Sequence, residues 1–148
     1  MKIVLQRVKH ASVVVNNQTI GKIETGLLLL VGVSKTDDVA AIDYLANKVL
    51  NLRIFSDDVG KMNLSVLDIS GEILAVSQFT LYGDTKKGRR PGFDQAALPE
   101  QAQPLFDQFV DKLKESGLKV ETGEFGADMK VSLLNDGPVT FILEYPLP

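Results

Sequence analysis

The sequence predicts an α+β fold with mainly antiparallel or mixed β-sheets and two amphipathic α-helices. Short apolar, strand-like runs follow one another along most of the chain, and they do not alternate with helical segments. That order is typical of α+β proteins and differs from the regular alternation of doubly wound folds. The chain has 148 residues, of which 45% are hydrophobic. It is therefore expected to form a single domain over residues 1–148.

The predicted strands are bounded by turn residues. Asn16 and Asn17 mark one turn, and Ser70 and Gly71 mark another. Residues 26–33 are apolar on both faces, which indicates a buried strand. The full set of predicted strands comprises residues 3–8, 11–15, 18–23, 26–33, 52–55, 72–79, 119–124, 129–134 and 139–145.

Two segments show helical periodicity. In the first, apolar side chains recur at helical spacing between residues 39 and 49, and residues 36–38 offer N-caps. In the second, an apolar stripe runs over residues 102–113, and Gly117 is a suitable C-terminal stop. Pro104 belongs in the first turns of this helix, so the pattern defines its start only to within a few residues.

Composition excludes several kinds of chemistry. The chain has no cysteine and a single histidine, His10, which argues against thiolate chemistry, a zinc or iron site and a serine triad. The longest apolar run, residues 27–33, is far too short to span a membrane. No P-loop or dinucleotide-binding motif is present. We therefore expect a cytoplasmic protein without a metal site.

Two short segments carry small polar groups at strand ends. In Ser77-Gln78-Phe79-Thr80-Leu81, amides that leave a strand could point together and hold an oxyanion. The alternative is a polar strand terminus that satisfies its own backbone. In Asn135-Asp136-Gly137-Pro138-Val139-Thr140, the glycine and proline form either a simple turn or a rigid bend that presents a backbone carbonyl.

A basic cluster interrupts an otherwise acidic chain. The net charge is −3, so no global field attracts nucleic acid. Within five residues, however, the chain places Lys86, Lys87, Arg89 and Arg90. Such a cluster can neutralise a few phosphates, or it can simply be a solvated loop.

Taken together, these segments resemble the D-aminoacyl-tRNA deacylase family, of the D-tyrosyl-tRNA deacylase type. The resemblance runs from residue 1 to about residue 145 with its motifs in the family's order and spacing. The matching stretches are Met1-Lys2-Ile3-Val4-Leu5-Gln6-Arg7-Val8, Met62-Asn63-Leu64-Ser65, Ser77-Gln78-Phe79-Thr80-Leu81, Gly88-Arg89-Arg90-Pro91, Phe125-Gly126-Ala127-Asp128-Met129 and Asn135-Asp136-Gly137-Pro138-Val139-Thr140.

The resemblance implies a homodimer of barrel-like subunits with the active site at the subunit interface. The implied reaction is hydrolysis of the ester that joins a D-amino acid, or a mischarged glycine, to the 3′ end of tRNA. No cofactor is implied. One wall of the site is assigned to Ser77, Gln78, Phe79 and Thr80, whose backbone amides face the ester.

The resemblance also assigns the other contacts of the substrate. Gly137 and Pro138 form a cis dipeptide that reaches into the partner's pocket, where the Gly137 carbonyl captures the amino group of the substrate. Phe125 and Met129 are the expected stacking contacts of the terminal adenine. The basic cluster of residues 86–90 is expected to contact the tRNA.

Two rival functions remain compatible with the residues. The first is an RNA-end binding module without turnover. The second is a hydrolase of small esters or amides in which Thr80 is a covalent nucleophile, although no activating base is evident in the sequence. Thr80 is more simply interpreted as part of the wall or as a residue that positions water.

Overall fold

The computed structural model describes residues 1–147, so Pro148, which the predicted domain includes, lies outside the described residues. The described part of the chain contains two α-helices, α1 (Val39–Asn51) and α2 (Pro99–Lys114). Its strands are β1 (Lys2–Val15), β2 (Gln18–Ile23), β3 (Gly26–Gly32), β4 (Phe55–Ser56), β5 (Met62–Leu64), β6 (Glu72–Ser77), β7 (Val120–Thr122) and β8 (Lys130–Glu144).

Strand β1 organises the main sheet. On one side it pairs antiparallel with β3 through its first half and with β2 through its second half. On the other side β8 runs antiparallel to it from the Lys2–Glu144 pair to the Val14–Lys130 pair. Strands β3, β6 and β7 then continue the sheet in parallel. The predicted mixture of antiparallel and parallel pairing is confirmed.

The main sheet curls into a nearly closed barrel. Strand β2 comes back against β6 and β7. This approach is close enough that a Cβ atom on Gly21 would lie 2.7 Å from the carbonyl oxygen of Thr122. A glycine at this position therefore permits the contact that nearly closes the barrel.

The two helices pack against each other and cover one face of the sheet. Their buried side chains, including Leu45 and Phe109, share a core with Leu27 and Leu29 of β3. The intervening Leu28 points into a second core inside the barrel. Strand β3 is thus buried on both faces, as its continuous apolar run predicts.

The helix boundaries follow from their terminal residues. Asp38 caps α1, because its side chain accepts a hydrogen bond from the amide of Ala40 at 3.0 Å. Helix α2 begins at Pro99, three residues before the predicted stripe, and continues through Pro104. Proline at the first position suits a helix start, because that N–H has no intrahelical acceptor.

Several predicted strands have different limits in the structure. The segments 3–8 and 11–15 form one continuous strand, β1, and the segments 129–134 and 139–145 form another, β8. The predicted breaks correspond to irregularities in the β1–β8 register near Val8 and around residues 135–140. The predicted strand 52–55 is shifted to Phe55–Ser56, where it pairs with the unpredicted β5.

Candidate active site

The polar segment after β6 forms a tight turn. Strand β6 ends at Ser77, and the next amide, of Gln78, donates to the Val31 carbonyl at 2.8 Å. A 3₁₀ turn (Phe79–Tyr82) follows. The prediction that the strand extends to Phe79 is therefore wrong. The reason is that β3 ends at Gly32, so β6 has no strand partner beyond the Val31–Ser77 pair.

The beginning of this 3₁₀ turn leaves two amides without acceptors. Within residues 1–147, the backbone N–H groups of Phe79 and Thr80 donate no hydrogen bond. The following amides, of Leu81 and Gly83, are bonded to the carbonyls of Gln78 and Thr80 at 3.2 and 2.9 Å. The first N–H groups of a helical turn have no acceptor within the turn itself, and here no cap supplies one. Two adjacent backbone donors are thus available to a ligand.

The side chains around these amides offer no strong base. The side-chain amide of Gln78 donates to the Thr80 hydroxyl, which engages a lone pair of that oxygen. Tyr82, at the end of the turn, is half-buried, and burial together with the charges of Asp37 and Glu144 raises the pKa of its hydroxyl to about 12. Tyr82 therefore stays neutral at physiological pH and is a poor proton acceptor.

A pocket of about 620 Å³ lies beside this turn. Its walls come from the ends of β3 and β6, from the start of α2 and from residues 125–129, which connect β7 to β8. The pocket contains five of the predicted site residues: Ser77, Gln78, Phe79, Phe125 and Met129. Thr80 is exposed next to Phe79 and does not itself line the pocket.

Aromatic residues support two parts of the pocket. The Phe125 ring packs against Phe106 of α2 with centroids 6.3 Å apart. Phe79 packs against Phe93 with centroids 5.1 Å apart and an angle of 61° between the rings. The sequence reasoning missed Phe93 and Phe106. Phe106 belongs to the apolar stripe of α2, and its place in that stripe gave no sign of its contact with the pocket.

The Gly137–Pro138 segment lies elsewhere on the same chain. Both residues are exposed, and neither lines the pocket. Their peptide bond is cis, which confirms the prediction. Gly137 has φ +149°, and a Cβ atom there would lie 2.5 Å from Val139 Cγ2 and 2.8 Å from Val139 N. The local chain itself therefore requires glycine at this position.

Side chains hold this segment in place. Asn135 accepts a hydrogen bond from the Val139 amide at 2.7 Å and donates to the Thr140 hydroxyl at 3.0 Å. Arg7 donates through Nε to the Asp136 carbonyl at 2.9 Å and through Nη1 to the carbonyl of Ile54 at 2.7 Å.

The Arg7 side chain is only 11% exposed, although it lies on the strand β1. The sequence reasoning missed this residue. An arginine among the apolar residues of a predicted strand was the available signal, because a partly buried arginine needs partners.

The basic cluster lies on a loop whose two ends are joined. Two backbone hydrogen bonds between Asp84 and Gly92, of 2.7 and 2.9 Å, join the ends of this loop. Lys86, Lys87, Arg89 and Arg90 are all exposed. Within residues 1–147, none of the four forms a salt bridge.

Among residues 1–147, no three histidine, cysteine, aspartate or glutamate side chains are grouped in a way that could hold a metal ion. None of the helices in this part of the chain has the length and apolar character needed to cross a membrane.

Comparisons with known proteins agree on one family. The profile of the family described as "D-Tyr-tRNA(Tyr) deacylase" matches residues 4–144. The D-aminoacyl-tRNA deacylase of Thermosipho africanus is 60% identical over 144 residues, which are 97% of each chain.

Solved structures show the same fold. A c-Myc DNA unwinding element binding protein superimposes with a TM-score of 0.93 and 42% identity, over 99% of this chain and 100% of the other. A probable eukaryotic D-amino acid tRNA deacylase shares the fold with a TM-score of 0.85 at 18% identity, over 96% and 97% of the two chains. Because the profile and a relative at 60% identity both cover nearly the whole sequence, the chain belongs to the D-Tyr-tRNA(Tyr) deacylase family.

Proposed function

We propose that the protein hydrolyses the ester bond of D-aminoacyl-tRNA, and of mischarged glycyl-tRNA, and releases free amino acid and tRNA. The observation that carries this proposal is the 60% identity, over 97% of both chains, to a protein named D-aminoacyl-tRNA deacylase. The proposed setting is the cytoplasm, and the proposed role is proofreading during translation. The chemistry needs no cofactor, because an aminoacyl ester is already activated.

The free amides of Phe79 and Thr80 are the proposed oxyanion hole. As water attacks the ester, the carbonyl oxygen of the ester gains negative charge. The two preorganised N–H donors stabilise this charge. The Gln78 amide cannot contribute, because it is already bonded to Val31. Of the backbone amides expected to face the ester, those of Phe79 and Thr80 are therefore the two proposed donors. Ser77 and Gln78 shape the pocket around them.

The proposed nucleophile is water. Its oxygen forms the new bond to the acyl carbon, the ester C–O bond breaks, and a proton passes to the departing ribose oxygen. Thr80 positions this water, since its hydroxyl already accepts a hydrogen bond from Gln78 and no base adjoins it to make it a nucleophile. A hydroxyl of the terminal ribose would assist the proton transfer, so no side-chain base is required.

Phe125 and Met129 are the proposed contacts for the terminal adenine. Both line the pocket, and both are partly buried. Phe125 is backed by Phe106, so its ring is a fixed surface against which a base can stack.

The Gly137–Pro138 segment is proposed to complete the site of a partner subunit. It does not line the pocket of its own chain. The edge of β8 supports pairing of subunits, because within residues 1–147 β8 forms a ladder with β1 alone. This strand also exposes the apolar side chains Leu134, Phe141 and Ile142. An uncovered apolar edge strand of this length is a natural interface for a two-fold homodimer.

The partner subunit's Gly137 carbonyl would then capture the α-amino group of the substrate and exclude an L side chain. The loop of residues 84–92 is proposed to contact the phosphates of the tRNA. Its four cations, which form no salt bridge within residues 1–147, support this role in a chain whose net charge is −3.

A turnover assay with D- and L-aminoacyl-tRNA tests the proposed function. We expect release of the D-amino acid and retention of the L-amino acid. Binding without release would favour a nucleic-acid binding module, a function suggested by the name of the c-Myc DNA unwinding element binding protein, which is 42% identical. An acyl group trapped on Thr80 and detected by mass spectrometry would favour the covalent hydrolase.

A further inference from the structure

Phe79 and Phe93 form an exposed aromatic pair at the pocket. Their side chains are 56% and 40% exposed. The second aromatic pair of the pocket, Phe106 and Phe125, is much more enclosed: Phe106 is only 5% exposed, and Phe125 is partly buried. The pocket therefore has one enclosed aromatic surface and one that faces solvent.

The Phe93 ring has packing partners on two sides. It packs on Phe79, and it lies so close to the backbone of Gly83 that a Cβ atom there would be 3.2 Å from Phe93 Cε1. On either side of Phe93, the Gly92 amide bonds to Asp84 and the Ala96 amide bonds to the Phe93 carbonyl. A ring that is already packed in this way has less conformational freedom to lose when it binds a ligand.

The charge that adjoins this pair along the chain indicates the kind of ligand that fits. Arg90 precedes Phe93 by three residues, and it belongs to the loop that carries four exposed cations without acidic partners in the described chain. Exposed aromatic rings next to unpaired cations are the combination that binds single-stranded nucleic acid: the rings stack on bases and the cations bind the phosphates.

We propose that Phe79 and Phe93 form a stacking platform for the unpaired nucleobase that precedes the terminal adenosine of the tRNA. The phosphate of that nucleotide is neutralised by the basic loop. This subsite rests on the proposed function and extends it, because the enclosed surface takes the terminal base and the exposed surface takes its neighbour. A second nucleotide adds affinity for RNA substrates without adding contacts to the amino acid.

A fluorescence titration tests the platform independently of catalysis. The probe is a short single-stranded RNA that ends in adenosine and carries 2-aminopurine at the preceding position, because stacking quenches the fluorescence of this base. We expect quenching on binding to the wild-type protein. We expect Phe93→Leu to reduce the quenching and to weaken binding about tenfold, within the range for loss of one base–aromatic stack. Phe93→Tyr keeps the ring and should behave as the wild type.

A kinetic comparison provides the second test. For Phe93→Leu, the fall in kcat/KM should be about tenfold greater for D-aminoacyl-tRNA than for D-aminoacyl-adenosine, which lacks the preceding nucleotide. Equal losses on both substrates would overturn the platform, since Phe93 would then only shape the pocket. So would a wild-type protein that does not quench the probe. A wild-type protein that quenches the probe but hydrolyses neither substrate would refute the proposed function and leave the platform standing.

The partner subunit could cover the aromatic pair instead. Light scattering on the wild type and Phe93→Leu separates the two occupants. We expect the same mass for both proteins. A loss of dimer in Phe93→Leu, together with an unquenched probe, would assign the pair to the subunit interface and contradict the platform.

Discussion

The segments 77–82 and 135–140 are both proposed to present backbone groups to the substrate, but they are held in different ways. The first takes its shape from the end of a strand ladder and a 3₁₀ turn, which leaves the amides of Phe79 and Thr80 free. The second is held by side chains, Asn135 from within the segment and Arg7 from the neighbouring strand.

This difference indicates where each segment is vulnerable. The first should tolerate side-chain changes and fail when a backbone N–H is removed. The second should fail when a distant supporting side chain is removed. The two segments also differ in their relation to the pocket: residues of the first line the pocket of their own chain, and Gly137 and Pro138 of the second do not.

Phe79→Pro should cause the largest loss of activity, because it removes one of the two free amides. Proline suits the first position of a helical turn. The preceding residue, Gln78, has φ −146° and ψ 80°, so it lies outside the α-helical region that proline disfavours for the residue before it. We expect kcat on D-aminoacyl-adenosine to fall about 100- to 1000-fold, as for loss of an oxyanion donor.

Phe79→Leu is the matched control, because it removes the ring and keeps the amide. Its kcat on D-aminoacyl-adenosine should stay within about threefold of the wild type if the amide carries the electrostatic contribution. Equal losses in the two variants would transfer the role from the backbone to the ring.

Gly137→Ala should cause the next largest loss. A Cβ atom at this positive φ would collide with Val139, so the segment must shift and its carbonyl must turn. We expect activity on D-aminoacyl-tRNA to fall about 100-fold, because small displacements of a positioning group are costly, and we expect no gain of activity on the L substrate.

Gly117→Ala is the control for the backbone penalty alone. Gly117 has φ +84° and open space around it, and it lies after α2. This variant should lose about 1 kcal/mol of stability and keep full activity. A Gly137→Ala protein as active as Gly117→Ala would show that the segment has no part in the site.

Arg7→Met should reduce activity about 10- to 100-fold. The substitution leaves the Asp136 and Ile54 carbonyls without a charged donor, and each such hydrogen bond is worth about 1.5–3 kcal/mol. Circular dichroism and kcat measured together separate misfolding from mispositioning. Lys9→Met is the control, because Lys9 is exposed and only forms a 3.6 Å ion pair with Asp136. Comparable losses of activity in both variants would indicate that activity depends on positive charge near Asp136 and not on the hydrogen bonds that Arg7 donates to Asp136 and Ile54.

Lys87→Ala combined with Arg89→Ala should have the smallest effect, on tRNA binding alone. Each phosphate contact contributes about 0.7–0.9 to the slope of log affinity against log salt. The double variant should therefore flatten this slope by about 1.4–1.8. Lys22→Ala with Lys61→Ala removes two exposed charges elsewhere and should leave the slope unchanged. An unchanged slope in the loop variant would indicate a solvated loop with no contact to the tRNA.

The sequence was most informative where the structure depends on local periodicity and least where it depends on distant contacts. Helix α1 was found from its apolar repeat, and the buried strand β3 from its continuous apolar run. The 3₁₀ turn after Ser77 was missed, because its cause is the end of β3, some 45 residues earlier in the chain.

The candidate site shows the same limit. The motif residues on one side of the pocket, Ser77 to Phe79, were identified, and so were Phe125 and Met129. The hydrogen bond from Arg7 to Asp136 was not identified from the sequence, because 129 positions separate the two residues and only the β1–β8 pairing brings them together.

A heterodimer of two inactive variants tests most directly whether the active site is shared between subunits. Phe79→Pro should inactivate the wall, and Gly137→Ala should inactivate the segment that enters the partner. The two variants are given different tags, co-expressed and purified through both tags. In a two-fold dimer of this kind, one of the two sites combines an intact wall with an intact segment. We therefore expect about half of the wild-type kcat per dimer. A purified heterodimer as inactive as either parent would contradict the shared site.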